Sequence, residues 1–247
     1  MKTLFAIGDS HTFGAEILGE ENYSKENKLL SYSSKLKDEL GFDKVDNWGI
    51  SGASIKYTER GLIDYLSTHP KPDLVVIGWT CLGRWEICSG TDLMGNYTYE
   101  MFNSWLDPFN KKTEDELNLY KALLPIITSD DLLAEKFRTH IRCSSILKSL
   151  NIPHIFFDVM ESTKFQAPIS GTDKTNDKVD KYWSGSNPMD VSLYNFIDKN
   201  NYIEETTYWE HCKDKEGVSI NGGHYNESAH LHWAKYLKEQ LYKRNIL

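Results

Sequence analysis

The chain has 247 residues, 40% hydrophobic and 26% charged, a balance that suits one sizeable core in a soluble globular protein. Its formal net charge of −8 argues against an extended basic footprint for nucleic acid and gives no basis for attraction to an anionic membrane surface. No apolar run nears the length of about 18 residues that suggests a membrane span, and the four cysteines, Cys81, Cys88, Cys143 and Cys212, form neither a C-x-x-C pair nor a small-domain disulfide framework.

Leu4 to Ile7 is a short apolar run, long enough for one buried strand. The opening MKTLFAIG has too short an apolar stretch for an export signal, so it is read as the first strand of the mature fold and the protein as cytoplasmic. Gly8 and Asp9 break the run and Ser10 follows, at the carboxyl end of a strand, where open α/β sheets place their chemistry. Residues 14–26 are polar and contain Gly, and read as a loop. The spacing of Leu29, Leu30, Leu36 and Leu40 predicts one helix that Gly41 ends, followed by a strand over Lys44–Asn47. Ser54 to Thr68 reads as a second helix with Ile55, Leu62, Ile63 and Leu66 inward, stopped before Pro70 and Pro72. Asp73 to Gly78 is Val- and Ile-rich, as a strand buried on both faces should be.

The alternation then lapses. Residues 87–112 read as an insertion whose aromatics, with Trp85, form either a platform for a sugar or aromatic group or a locally packed loop core. Thr113 and Glu116 have capping-box spacing and open a helix to about Ile127. Ser129 to Asn151 reads as a further helix, and Pro153 to Asp158 as the fourth strand. Residues 159–220 read as a second insertion, with a lid and an oligomer contact both open as roles, since loops this long are functional or carry structure of their own. Asn226 is placed to cap a final helix in which His230, Trp233, Ala234, Leu237 and Leu241 face the core.

Four stretches carry chemistry. Gly8-Asp9-Ser10 follows the first strand. Asn47-Trp48-Gly49-Ile50-Ser51-Gly52 follows the second. Gly78-Trp79-Thr80 follows the third, and Asn221-Gly222-Gly223-His224-Tyr225-Asn226 precedes the last helix. Together they resemble the four marker blocks of the SGNH/GDSL hydrolases, a family of doubly wound, flavodoxin-like α/β esterases. The resemblance covers the framework, roughly 1–86, 129–158 and 221–247. It implies Ser10 as nucleophile, His224 as the base, and the Ser10 and Gly52 N–H groups as oxyanion donors. An imidazole suits that role because its unperturbed pKa of about 6.5 lets it take and return a proton near neutrality.

Two positions depart from the family pattern. Asn221 stands where the family has Asp; its carbonyl can still accept from the imidazole Nδ1–H but carries no charge, and Asp158 is an alternative support. Thr80 stands in place of the block III Asn, with a hydroxyl that can donate one hydrogen bond to the oxyanion. Asp9, His11, Trp79, Arg84 and Glu86, which flank these positions, are the candidate substrate-binding residues.

The expectation is therefore one SGNH-like domain over 1–247, a parallel sheet with helices on both faces and two insertions, that hydrolyses acyl esters without metal or cofactor. O-acetyl groups on carbohydrate are the preferred substrate, a small-molecule or glycan ester in any case, with no nucleic-acid or membrane partner; a homo-oligomer stays open. The alternative is a catalytically weakened domain that binds glycan or serves a structural role, for example in a virion, because a GWT-type block III resembles sequences carried by bacteriophages.

Overall fold

The computed structural model describes residues 1–19, 24–82, 84–91, 97–103, 129–160, 193–215, 217–218, 220–221 and 223–247, with positions 114 and 118, and backbone alone at 85, 87–91, 97–103, 129–131 and 221. The chain begins β1 (Thr3–Ile7), α1 (Ser10–Phe13), α2 (Lys25–Leu30), α3 (Tyr32–Leu40), β2 (Lys44–Asn47), α4 (Ile55–Thr68) and β3 (Leu74–Trp79). A hairpin of β4 (Arg84–Thr91) and β5 (Tyr97–Asn103) follows, then α5 (Ser129–Ser149), β6 (His154–Asp158), β7 (Tyr202–Ile203) and α6 (Tyr208–Lys213). A two-residue-per-strand hairpin, β8 (Ile220–Asn221) and β9 (His224–Tyr225), leads into α7 (Glu227–Lys243).

The main sheet runs β2-β1-β3-β6-β7 and every pairing in it is parallel. Counted without the β4–β5 hairpin this is the 2-1-3-4-5 order of flavodoxin-like sheets, with the order reversing between β1 and β3. Alternation along each strand builds two cores. Leu4, Ala6, Leu74, Val76, Ile155 and Phe157 face Tyr32 and Leu36 of α3 and Trp233 and Leu237 of α7. Phe5, Ile7, Val75, Ile77, Trp79 and Phe156 face Leu62 and Tyr65 of α4 and Phe137 and Leu147 of α5. Full burial of each such side chain contributes about 1.5–3 kcal/mol, so both faces of the sheet hold its helices firmly.

Four expectations change. The helix over 29–40 is two helices, broken at Ser31, whose backbone is extended. The Ser31 hydroxyl donates to Lys28 O (2.7 Å) and shares a hydrogen bond with Ser33 Oγ (2.9 Å); such local side-chain bonds compete with the helical ladder. The break turns Leu29 outward, and Ile63 of α4, a neighbour of the buried Leu62, is likewise exposed. Part of the 87–112 segment is the β4–β5 hairpin, with a bulge between Cys88 and Gly90. Part of 159–220 belongs to the framework, because β7 pairs with β6 and completes the main sheet. The helix placed over 113–127 lies largely outside the described residues, as do the side chains of the aromatic platform.

Candidate active site

Asp9 caps α1, accepting the His11 N–H at 3.0 Å, and Gly14 closes the turn in the left-handed conformation. This single helical turn holds Ser10 at the carboxyl end of β1, beside the point where the strand order reverses. The other Asp9 oxygen accepts from Arg84 Nη1 (3.0 Å) and from the Thr80 hydroxyl (3.1 Å), while Arg84 also donates to Thr80 Oγ1 (3.0 Å). Asp9 is fully buried. This cluster of one ion pair and one hydroxyl therefore ties the Ser10 turn to the segment that follows β3.

The parallel pairing of β1 with β2 continues past both strands. Trp48 N–H donates to Ala6 O (2.8 Å) and Ile50 N–H to Gly8 O (3.1 Å), so residues 48–50 run beside the segment that leads into the Ser10 turn. Asn47 Nδ2 reaches Thr12 O (2.7 Å), Ser31 Oγ (3.1 Å) and Ser33 Oγ (3.0 Å), and its Oδ1 accepts from Gly49 N–H (2.9 Å). Gly49 lies so close to α1 that a Cβ there would stand 2.4 Å from Phe13 N. Gly52 has φ +76° and open space where a Cβ would be, so its glycine serves the backbone conformation.

His224 arrives from the far end of the chain on the β8–β9 hairpin. Its ring centroid is 4.7 Å from that of His11, which in turn packs against Tyr208 (5.4 Å) and Trp209 (6.0 Å) of α6. His224 Nδ1 lies 2.7 Å from Glu16 Oε2. A carboxylate only accepts, so Nδ1 carries the proton of that bond and the neutral ring leaves Nε2 bare, the form a base requires. Burial lowers the pKa of His11 to about 4, the nearby Asp9 opposing the shift and His224 and Arg84 adding to it. His11 is therefore uncharged at neutral pH. The Ser10 hydroxyl is 1% exposed and makes no hydrogen bond among the described residues. In the free protein the serine and the histidine are thus not bonded to each other, although His224 packs on His11, the residue after Ser10; such contacts are often long until substrate is bound.

Several expected roles need correction. The Thr80 hydroxyl is 1% exposed and gives its proton to Asp9, so it is spent on the framework rather than on an oxyanion. Asp9 and Trp79 are buried side chains committed to the framework, and His11 is buried against His224. Trp79 packs on His140 (5.7 Å) and Phe156 (5.5 Å) in the core on the α5 side. Arg84 holds Asp9, and the buried Glu86 is paired with Arg60 of α4. Asp158 follows Phe156 in facing α5, where it binds Lys136 (2.8 Å) and the Tyr202 hydroxyl (2.5 Å), so it is not the support of His224. Asn221 pairs with His224 through the backbone of the hairpin, and its side chain lies outside the described residues. Glu16, which lies in the loop expected over residues 14–26, was overlooked by motif matching. His230 is structural, as its helical spacing predicted: its buried Nδ1 accepts the Tyr32 N–H (3.0 Å) at the start of α3.

No known family model and no curated protein matches the sequence. Solved structures do match. An esterase from Pseudoalteromonas sp., crystallised with monoethylphosphonate as inhibitor, is 12% identical over 98% of each chain, at TM-score 0.50. A family two carbohydrate esterase from Clostridium thermocellum, in complex with cellohexaose, is 13% identical over all of this chain and 65% of that one, also at 0.50. A member of the lipolytic protein G-D-S-L family from Veillonella parvula is 13% identical over 97% of each chain, at 0.47. At these identities the likeness concerns architecture: the chain has the α/β fold with a parallel central sheet that the two esterase structures share.

Proposed function

We propose that the protein is a serine-dependent carboxylic ester hydrolase. The observation that supports this reading is the packing of His224 on His11 (ring centroids 4.7 Å), the residue after Ser10, with the imidazole Nδ1 on Glu16 so that Nε2 is bare. Ser10 Oγ attacks the ester carbonyl carbon and gives its proton to His224 Nε2. The carbonyl oxygen becomes an oxyanion, held by the backbone N–H groups of Ser10 and Gly52, donors of the kind that contribute most to such steps. The tetrahedral intermediate collapses, the alcohol leaves with the proton from His224, and water repeats the sequence on the acyl-serine. Binding of substrate brings the serine hydroxyl into reach of Nε2.

The substrate is a small-molecule or carbohydrate ester. O-acetyl groups on carbohydrate are the preferred class; in support, one structure that shares the fold is a carbohydrate esterase. The test is hydrolysis of p-nitrophenyl esters of increasing acyl length, and of an acetylated-glycan panel, by the wild type and by Ser10→Ala. The expected result is turnover that falls by about 10³-fold or more in the variant, steepest for acetyl. Turnover that survives Ser10→Ala overturns the mechanism, and silence of the wild type on both panels overturns the function.

A further inference from the structure

We propose that Glu16 is the positioning residue for His224, filling the place that the motif resemblance gives to Asn221. The inference rests on the hydrolase reading and names a member of the same site that no motif points to. The 2.7 Å contact joins residues 208 positions apart, so it is a product of the tertiary fold and not of local chain geometry. The pair is half-sheltered, with side chains 16% and 27% exposed for His224 and Glu16. Glu16 also has φ +61°, a left-handed conformation that a side chain adopts at a cost of about 1–2 kcal/mol. Gly would be at ease there. The chain instead keeps a carboxylate in a strained backbone at the candidate site, which is where such strain collects.

The arrangement has a structural consequence. Ser10 and Glu16 stand on one short unit: the α1 turn, closed by Gly14 and Ala15 N–H groups that both donate to Ser10 O at 2.9 Å. Nucleophile and carboxylate are thus placed relative to each other by local backbone bonds, and only the histidine is delivered from elsewhere. Among the described residues, His11 and His230 also feel the charge of His224, and burial holds both uncharged at neutral pH. Arg84 is a fixed positive charge behind His11.

The test compares Glu16→Gln, Glu16→Asp, Glu16→Gly and Asn221→Ala with the wild type on p-nitrophenyl acetate. Glu16→Gln should lower kcat by about 10²–10⁴-fold with little change in KM, as loss of the carboxylate does in a serine protease. Glu16→Asp keeps the charge and should recover part of the loss. Glu16→Gly should lose activity without any fall in Tm, a combination that a purely structural residue would not give. Asn221→Ala should cost less than Glu16→Gln. Nitrogen NMR of the His224 ring should show an Nδ1–H tautomer in the wild type that Glu16→Gly, which removes the acceptor, abolishes. A Glu16→Gln variant within about threefold of wild type, an unchanged tautomer in Glu16→Gly, or a larger loss in Asn221→Ala overturns the proposal. If the wild type shows no Ser10-dependent turnover, the hydrolase reading fails by itself, and the tautomer measurement still decides the Glu16–His224 pair.

Discussion

Asn47 commits both ends of its amide to the segment that carries Ser10. Three acceptors surround Nδ2, and Oδ1 holds the Gly49 N–H. Replacing it with Ala would leave Thr12 O and Gly49 N–H without their partner in a part-buried place, at about 1–3 kcal/mol. Because these bonds join β2 to α1, Asn47→Ala should also disturb the placement of Ser10: Tm should fall and kcat/KM should fall with it. A variant with wild-type Tm and kinetics would show that the amide is dispensable. Asn47 was readable from the sequence as the first residue of a motif, but its partners were not, since Thr12, Ser31 and Ser33 become its neighbours only when the strands pair. The same holds for Thr80. Its position after β3 was legible, whereas the spending of its hydroxyl on Asp9 depends on Arg84 folding back to the same carboxylate.

Helix α5 is pinned to the carboxyl end of β6 by Lys136 and Asp158, both side chains 2% exposed, with Tyr202 of β7 donating to the same carboxylate. Breaking a buried pair by removal of one partner leaves a bare charge and costs about 3–5 kcal/mol. Lys136→Met and Asp158→Leu should each lower the urea midpoint sharply, and the double variant should be less destabilised than the sum of the two. Strict additivity would mean that the charges do not act as a pair. The strand and the helix were each predictable from apolar spacing, because periodicity reports which face is buried. Their cross-link was not, because an Asp at a strand end looks alike whether it faces the active site or the opposite helix layer. The break between α2 and α3 is a similar case: the apolar spacing of 29–40 fits one helix, and only the Ser31, Ser33 and Asn47 cluster shows why it is two.

Across the whole molecule, buried histidines make stability depend on pH. Burial lowers His11 to about 4 and His140 to about 3, and holds His230 well below its ordinary value. The unfolded chain takes protons on these rings near pH 6.5, while the folded chain refuses them. Their contribution is therefore complete above pH 6.5 and is lost as pH falls toward 4, at about 1.4 kcal/mol per pH unit for each ring. Urea midpoints at pH 7, 6 and 5 should drop progressively; a flat series would mean that the rings are not buried neutral. Such a protein should unfold in mild acid, before its carboxylates are protonated. What the sequence by itself determined was the parallel α/β framework and the place of Ser10 at the end of its first strand, since apolar periodicity and strand-end turns are local properties that every stretch of chain declares for itself. What only the tertiary structure decided was which side chains share their charges. Glu16 rather than Asp158 meets His224, Asp9 takes Arg84, and Glu86 takes Arg60, because ion pairs between distant segments form by proximity after the layers have packed, and nothing in the local spacing of a carboxylate says which distant segment will lie across from it.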